Sequence, residues 1–249
     1  MTNKGTEEEE ETAHELFLEP VAAYNPFEEA LAQLARAIRL GAVEVGEKFP
    51  PERELSERLG VSRTTVREAI RGLEQAGYIT TRRGRFGGTF VLRDEAKLSA
   101  RDRKRALGPQ LLETLDFRVA VEPGAAALAA GKATESHVEQ MLTLVEEMEA
   151  SDQTEFVRLN CRLHILLAQA ANCPPLLKAV SNLELEIMDA FLLMPKLGQS
   201  EANSHAQHRA IIEAIASDDP RAARDAMDDH LGGSEVLIRE LVSTRAASR

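Results

Sequence analysis

Apolar residues recur along this chain at two different periods, and the points where the period changes divide it into parts. From Pro26 to Leu40 the positions Leu31, Leu34, Ala35 and Ile38 fall three and four apart, which predicts an amphipathic helix with Arg36 and Arg39 solvated on its other side. Pro50 and Pro51 resist helix before them and suit its first turn, so Glu52 to Leu59 forms a short second helix with Leu55 and Leu59 on one face. Gly60 stops it. Ser62 then supplies an N-cap oxygen for a third helix, buried through Val66, Ala69, Ile70 and Leu73 and ending near Gly77. Tyr78 to Thr81 and Thr89 to Leu92 follow as two strands, joined by the glycine-bearing turn Arg82 to Gly88.

From Gln110 onward no strand pattern appears. Apolar residues repeat at three and four, with helix stops at Gly131 to Thr134, Ala150 to Asp152, Cys173 to Pro175, Pro195 to Ser200 and Asp218 to Pro220. The expectation is six helices of about 15 to 20 residues in an all-helical bundle. The chain therefore divides into an acidic, disordered tail over 1–25, a reader domain over 26–93, a charged linker over 94–109, a helical domain over 110–241 and a short tail over 242–249. The fold class is mainly α: a winged helix-turn-helix of three helices and a hairpin, followed by an all-α bundle.

Charge sharpens this division. The net charge of −11 over 249 residues looks wrong for a nucleic-acid binder until it is apportioned. Residues 1–25 carry −6, residues 26–93 carry +3 and the remainder carries −8. The only positive segment is the one with the helix-turn-helix pattern, as expected if one domain faces phosphate and the other does not. Two cysteines, Cys161 and Cys173, are too few for a disulfide framework, and their spacing fits neither a zinc knuckle nor a redox pair. No apolar run approaches the roughly 20 residues that span a bilayer, and the expected setting is soluble and cytoplasmic, with no membrane partner.

Two sets of residues carry candidate chemistry. Arg63, Thr64, Thr65 and Arg67 cluster at the start of the third helix, where a helix N-terminus entering a major groove reaches phosphates and base edges. The turn after it holds Arg82, Arg83 and Arg85, a basic hairpin tip suited to backbone or minor-groove contact. A solvated helical hairpin with ordinary surface arginines is the bland alternative. In the helical domain, Asn160 and His164 lie four apart, which places them on one helix face about 6 Å apart along the axis. His208 and His230 sit on two further amphipathic helices, and three imidazoles from three helices can converge on a metal inside a bundle. Spacing alone is a weak signal, since an isolated histidine on such a helix is usually a surface residue. Cys161, adjacent to Asn160, turns away from that face. No general base stands out beside these residues.

The stretch PPERELSERLGVSRTTVREAIRGLEQAGYI resembles the winged helix-turn-helix head of the GntR family of bacterial repressors, over about residues 26 to 93. The resemblance implies DNA contacts at Arg53, Ser62, Arg63, Thr64, Thr65 and Arg67, with Gly84 or Gly87 marking the wing tip. DFRVAVEPGAAALAA, NCRLHILLAQAANCPPL and HRAIIEAIASDDPRAARDAMDDHL are similar to consecutive signatures of the FCD effector domain of the FadR-type branch, over about residues 109 to 240. That likeness implies a divalent metal, zinc first and nickel, manganese or iron as alternatives, held by Asn160, His164, His208 and His230. It also implies a small carboxylate effector received by the metal together with Arg118. Asn160 departs from the aspartate more usual in that family, which leaves the site one negative charge poorer. Arg118 has two readings here: an inward guanidinium, or a surface residue paired with Glu122 one turn on. His205 is second to the site or merely surface, and Asn182 and Asn203 are candidate polar lining.

The function that follows is a homodimeric transcriptional regulator, a repressor, with two readers on a short inverted repeat and release by a metabolite. A sensor of the metal ion itself uses the same residues. A metal-dependent enzyme is the remaining alternative, against which stand the missing HExxH and the attached DNA-reading head.

Overall fold

The computed structural model describes residues 25–92, 107–193 and 198–247. The expected acidic tail falls outside the described residues except for Asn25, as does most of the expected linker.

The head is built on three helices. Helix α1 (Pro26–Arg39) starts where the Asn25 side chain accepts from the amides of Phe27 and Glu28, with proline in its first turn. Helix α2 (Glu52–Leu59) ends at Gly60, whose φ of 65° is the left-handed conformation glycine adopts without a Cβ penalty. Helix α3 (Arg63–Gln75) is capped by Ser62 Oγ, 3.1 Å from the Thr65 amide. Ala30, Leu34, Ile38, Leu55, Val66, Ala69, Ile70 and Leu73 close one core among the three, together with Phe49, Ile79 and Val91. Midway along α3, Gly72 has no side chain to keep α1 away: a Cβ there would lie 3.2 Å from Leu31 Cδ1.

Strands β1 (Ile79–Arg82) and β2 (Gly88–Val91) pair antiparallel with Ile79 opposite Val91 and Arg82 opposite Gly88. Each is displaced by one residue from its predicted position. The segment before α2 accounts for part of this, because it lies along the other edge of β2. The Phe49 amide donates to Thr89 O at 2.8 Å, the Val91 amide to Glu47 O at 3.0 Å and the Gly46 amide to Val91 O at 2.9 Å. The hairpin is thus fixed on both sides of β2, a non-local pairing that strand periodicity does not reveal.

The remainder is a bundle of α4 (Gln110–Ala130), α5 (Glu135–Glu149), α6 (Gln153–Ala170), α7 (Pro174–Leu192), α8 (Gly198–Ala216) and α9 (Pro220–Ala247). The stops at Gly131 to Thr134 and Ala150 to Asp152 fall between these elements, whereas those at Cys173 to Pro175, Pro195 to Ser200 and Asp218 to Pro220 run into the first residues of α7, α8 and α9. Helix α9 continues through Ala247, so the tail expected from 242 is helical over most of its length. Alanine, leucine, isoleucine and methionine from α4, α5, α6, α8 and α9 form most of the main core, including Ala126, Met141, Met148, Leu163, Ile212 and Met227. Proline at 123 lies inside α4 and takes one amide out of its ladder.

One expectation fails in an informative way. Arg36 and Arg39 are not solvated, because they bind α7. Arg36 Nη2 donates to Asn182 Oδ1 at 2.6 Å, and Arg39 Nη2 donates to Leu185 O at 3.4 Å and forms an ion pair with Asp189. Leu40 is buried beside Val157, Cys161 and Met188 of the bundle. Asn182, Leu185 and Asp189 are three and four apart, a single stripe of α7. The periodicity of α1 could show that its arginines face away from its own core, but not that a second domain covers them.

Candidate metal centre and nucleic-acid interface

The helix-turn-helix presents its sequence-predicted residues as follows. Ser62, Arg63, Thr64 and Arg67 are exposed at the start of α3, and Thr65 is half-buried with its hydroxyl 2.8 Å from that of Ser62. Arg67 does not stand free. Its Nε and Nη2 donate to the two carboxylate oxygens of Glu52 at 3.1 and 2.7 Å, a bidentate pair that ties α3 to α2. Arg53 similarly pairs with Glu57 at 3.0 Å. Arg82, Arg83, Gly84 and Arg85 are exposed in and beside the hairpin turn, with Gly87 half-buried among them.

In the bundle, α6, α8 and α9 bring three buried imidazoles together: one ring nitrogen each of His164, His208 and His230 lies within 4.8 Å of the others. Their hydrogen-bond partners define which nitrogens carry lone pairs. His164 Nδ1 lies 2.6 Å from Glu122 Oε2, a carboxylate that can only accept while ionised, so Nδ1 carries the proton and Nε2 a lone pair. His230 Nδ1 lies 3.2 Å from Gln207 Oε1, which likewise leaves its Nε2 a lone pair. These two Nε2 atoms face each other at 3.3 Å. Both ring nitrogens of His208 are buried with no hydrogen-bond partner. Burial, then the neighbouring imidazoles, pushes the pKa of His208 well below the usual histidine value; burial and His164 do the same to His230. Three converging buried imidazoles, one with both nitrogens orphaned, fit a divalent cation, and a carboxylate behind His164 is the usual orienting partner of a ligating histidine. Asn160 is buried one turn before His164.

Beside the imidazoles lies a buried charge cluster. Arg118 is 2% exposed; its Nε donates to Glu122 Oε1 at 3.0 Å, its Nη2 lies 3.1 Å from His164 Nε2 and 3.0 Å from Glu184 Oε1. Arg118 is therefore inward, and of the surface reading only the pairing with Glu122 survives. Burial works against the charge of Arg118, but Glu122 and Glu184 outweigh it and raise its pKa. Burial likewise opposes ionisation of Glu122, and the charge of Arg118 together with the hydrogen bond from His164 overcomes it, holding the carboxyl below its ordinary range. Glu184, buried and facing Glu122, is pushed up to about 7. Neither of its oxygens has an aligned hydrogen bond, although Oε1 is at ion-pair distance from Arg118.

Glu184 is the residue missed by sequence reasoning, which saw no general base beside the histidines, and Glu122 was read as a partner of Arg118 but not of His164. The signal for Glu184 was present: Val180, Leu183, Glu184 and Ile187 share one buried stripe, and a carboxylate on such a stripe requires a partner. His205 packs edge-on against Phe156, with ring centroids 5.5 Å apart. Asn182 faces Arg36 rather than lining the imidazole site. Cys161 is buried, its thiol donating to Glu184 O at 3.5 Å.

A winged helix-turn-helix joined to a helical bundle with a polar, histidine-rich centre defines a DNA-binding regulator with a second, helical domain. Residues 26–91 match the model of bacterial regulatory proteins of the gntR family, and residues 113–233 match that of the FCD domain. Among curated proteins the chain is 30% identical to "Putative HTH-type transcriptional regulator RmpR" of Mycobacterium gastri, over 87% of this chain and 82% of that protein. It is also 30% identical to "Putative L-lactate dehydrogenase operon regulatory protein" of Escherichia coli K12, over 82% and 83% of the two chains. The solved structure of E. coli McbR/YncC shares the fold at 17% identity, with a TM-score of 0.51 over 88% of this chain and 99% of that one. The chain belongs to the GntR family, with an FCD domain, and is a DNA-binding transcriptional regulator. Among the described residues, no helix is long and apolar enough to cross a membrane.

Proposed function

We propose that this regulator is a cytoplasmic, homodimeric repressor whose hold on a short inverted repeat is released by a small carboxylate bound at a metal site in the bundle. The observation that carries this reading is the convergence of three buried imidazoles, two with facing Nε2 atoms and one with both nitrogens orphaned, beside a buried guanidinium. His164, His208 and His230, with Asn160 one turn before His164, would hold the divalent ion. Zinc suits this donor set; nickel, manganese and iron are alternatives. The ion supplies an electrophilic position for a carboxylate oxygen. Arg118 supplies a second point, and an incoming carboxylate competes with Glu184, whose contact to Arg118 is an ion pair without an aligned hydrogen bond.

Helix α7 supports the link from site to reader. One side carries Glu184 against Arg118; another carries Asn182, Leu185 and Asp189 against Arg36 and Arg39 of α1. Displacement of Glu184 would shift the helix that grips the head. Two readers then no longer match both half-sites, provided the carboxylate binds the displaced arrangement more tightly.

The test is fluorescence anisotropy against the DNA upstream of the protein's own gene, with zinc-loaded and chelator-treated protein. Screened organic acids begin with L-lactate, because one relative is described as regulating an L-lactate dehydrogenase operon. Zinc at 100 times its dissociation constant stabilises the fold by about 2.7 kcal/mol, equivalent to a melting-temperature rise of roughly 5 to 10 °C. Absence of that shift sinks the metal site. A DNA affinity that follows zinc but no organic acid supports the metal-sensor reading instead. Turnover of an organic acid that survives Arg63→Ala and disappears with His208→Ala would support an enzyme.

A further inference from the structure

The hairpin turn holds one residue that the reading above does not use. Phe86 is 87% exposed, the most exposed large hydrophobic side chain among the described residues. It belongs to no core cluster, unlike Phe49 of the same head. Phe90 on β2, by contrast, lies half-buried under the Arg82 guanidinium, 4.9 Å from its ring centre.

Phe86 is presented by a locked turn rather than by a loose one. The Gly87 amide donates to Gly84 O at 2.9 Å, and Lys48 Nζ donates to Gly87 O at 2.6 Å. At Gly87 a Cβ would stand 2.4 Å from Arg82 O, so no other residue fits without moving the backbone. Gly84 has φ of 108°, another conformation that side chains rarely adopt. The turn spends three glycines and a lysine to project one phenylalanine.

Its surroundings specify what it would meet. Arg82, Arg83 and Arg85 are exposed around it, with the Arg85 guanidinium 5.8 Å from the Phe86 ring centre. No acidic residue occurs from Ile79 to Leu92. An apolar tip inside a wholly cationic hairpin is complementary to a surface with phosphate rails and an apolar, stacked interior. A lone exposed phenylalanine is unremarkable on a neutral surface; here it is the apex of the element that faces DNA.

We propose that Phe86 is an apolar wedge: its ring enters the DNA minor groove between the flanking arginines, partly unstacks a base step and bends the duplex. The inference rests on the reading that the hairpin meets DNA. Arg83 and Arg85 hold the two phosphate backbones, while Phe86 contributes shape selectivity by favouring steps that unstack easily, such as pyrimidine–purine steps.

The experiment uses the full chain and a duplex selected by the wild-type protein from a random-sequence pool. Affinity is measured by anisotropy across a salt series and bending by circular-permutation electrophoresis, for Phe86→Ala, Phe86→Leu, Arg83→Ala and Arg63→Ala. Phe86→Ala is expected to lose about tenfold in affinity and much of the bend, with the salt dependence unchanged because no phosphate contact is lost. Phe86→Leu keeps most of both. Arg83→Ala lowers the slope of log affinity against log salt by about 1. Wild-type affinity and bending in Phe86→Ala, with binding still lost in Arg63→Ala, overturns the wedge and leaves the DNA reader intact. Weaker binding at an unchanged bend also overturns it, in favour of a groove-wall contact. Binding unaffected even by Arg63→Ala overturns the reader assignment itself, and Phe86 then marks a protein contact.

Discussion

Arg118 shows how much one side chain can carry. It is a buried cation held by two buried carboxylates, and removing it takes the guanidinium from both while Glu122 keeps its hydrogen bond with His164. Arg118→Ala is expected to destabilise the bundle by about 3 to 5 kcal/mol, measured by urea denaturation followed by helical circular dichroism. Much of that cost is the stranded charge, so adding Glu122→Gln and Glu184→Gln to Arg118→Ala should recover a large part of it. No recovery would mean that packing rather than charge dominates. The residues of this centre were unequally legible. Four-residue spacing and separate amphipathic helices pointed to the histidines, and Glu122 was visible as the partner one turn from Arg118. Glu184 comes from a helix with no sequence relation to α4, and only packing places its carboxylate against the guanidinium.

Helix α3 shows what a cap contributes. Ser62 Oγ satisfies the Thr65 amide and its hydroxyl also touches that of Thr65. Ser62→Ala should cost about 1 kcal/mol, seen as a lower melting temperature of the head. Ser62→Asp separates the two roles of the position: a carboxylate caps the helix as well as a hydroxyl does, yet faces DNA phosphate. Its stability should stay within about 0.5 kcal/mol of wild type while DNA affinity falls well below it. Equal DNA affinity in the aspartate variant would remove Ser62 from the interface. This helix was the most legible element, because glycine and serine punctuate it locally and its apolar stripe is long. The hairpin was less so, displaced by one residue because pairing with residues 46–49 decides its register.

At the scale of the molecule, α1 and α7 join the DNA-binding head to the bundle. Asp189→Ala removes the carboxylate that holds Arg39 while leaving the imidazole centre and α3 untouched. The expected outcome is near-normal affinity of the ligand-free protein for its operator, with a reduced response to zinc or to an active organic acid. Coupling between distant sites is commonly worth about 5- to 150-fold in affinity, and Asp189→Ala should bring that ratio towards unity. A full response in the variant would show that the coupling runs elsewhere, and comparing anisotropy titrations with and without ligand decides it. The segmental charge follows the same division, with a positive DNA-binding head and an acidic bundle.

The sequence by itself determined the local structure and the broad chemistry: helix limits, the turn of the helix-turn-helix, the basic hairpin and three histidines on separate helices. These follow from residue types at short spacing, where periodicity, capping and backbone preference act within a few residues. Only the tertiary structure decided that Arg36 and Arg39 clasp α7, that Glu184 shares the guanidinium of Arg118, and that the lone pairs of His164 and His230 oppose one another. Each of those depends on the approach of helices distant in the chain, which the pattern along any one of them does not encode.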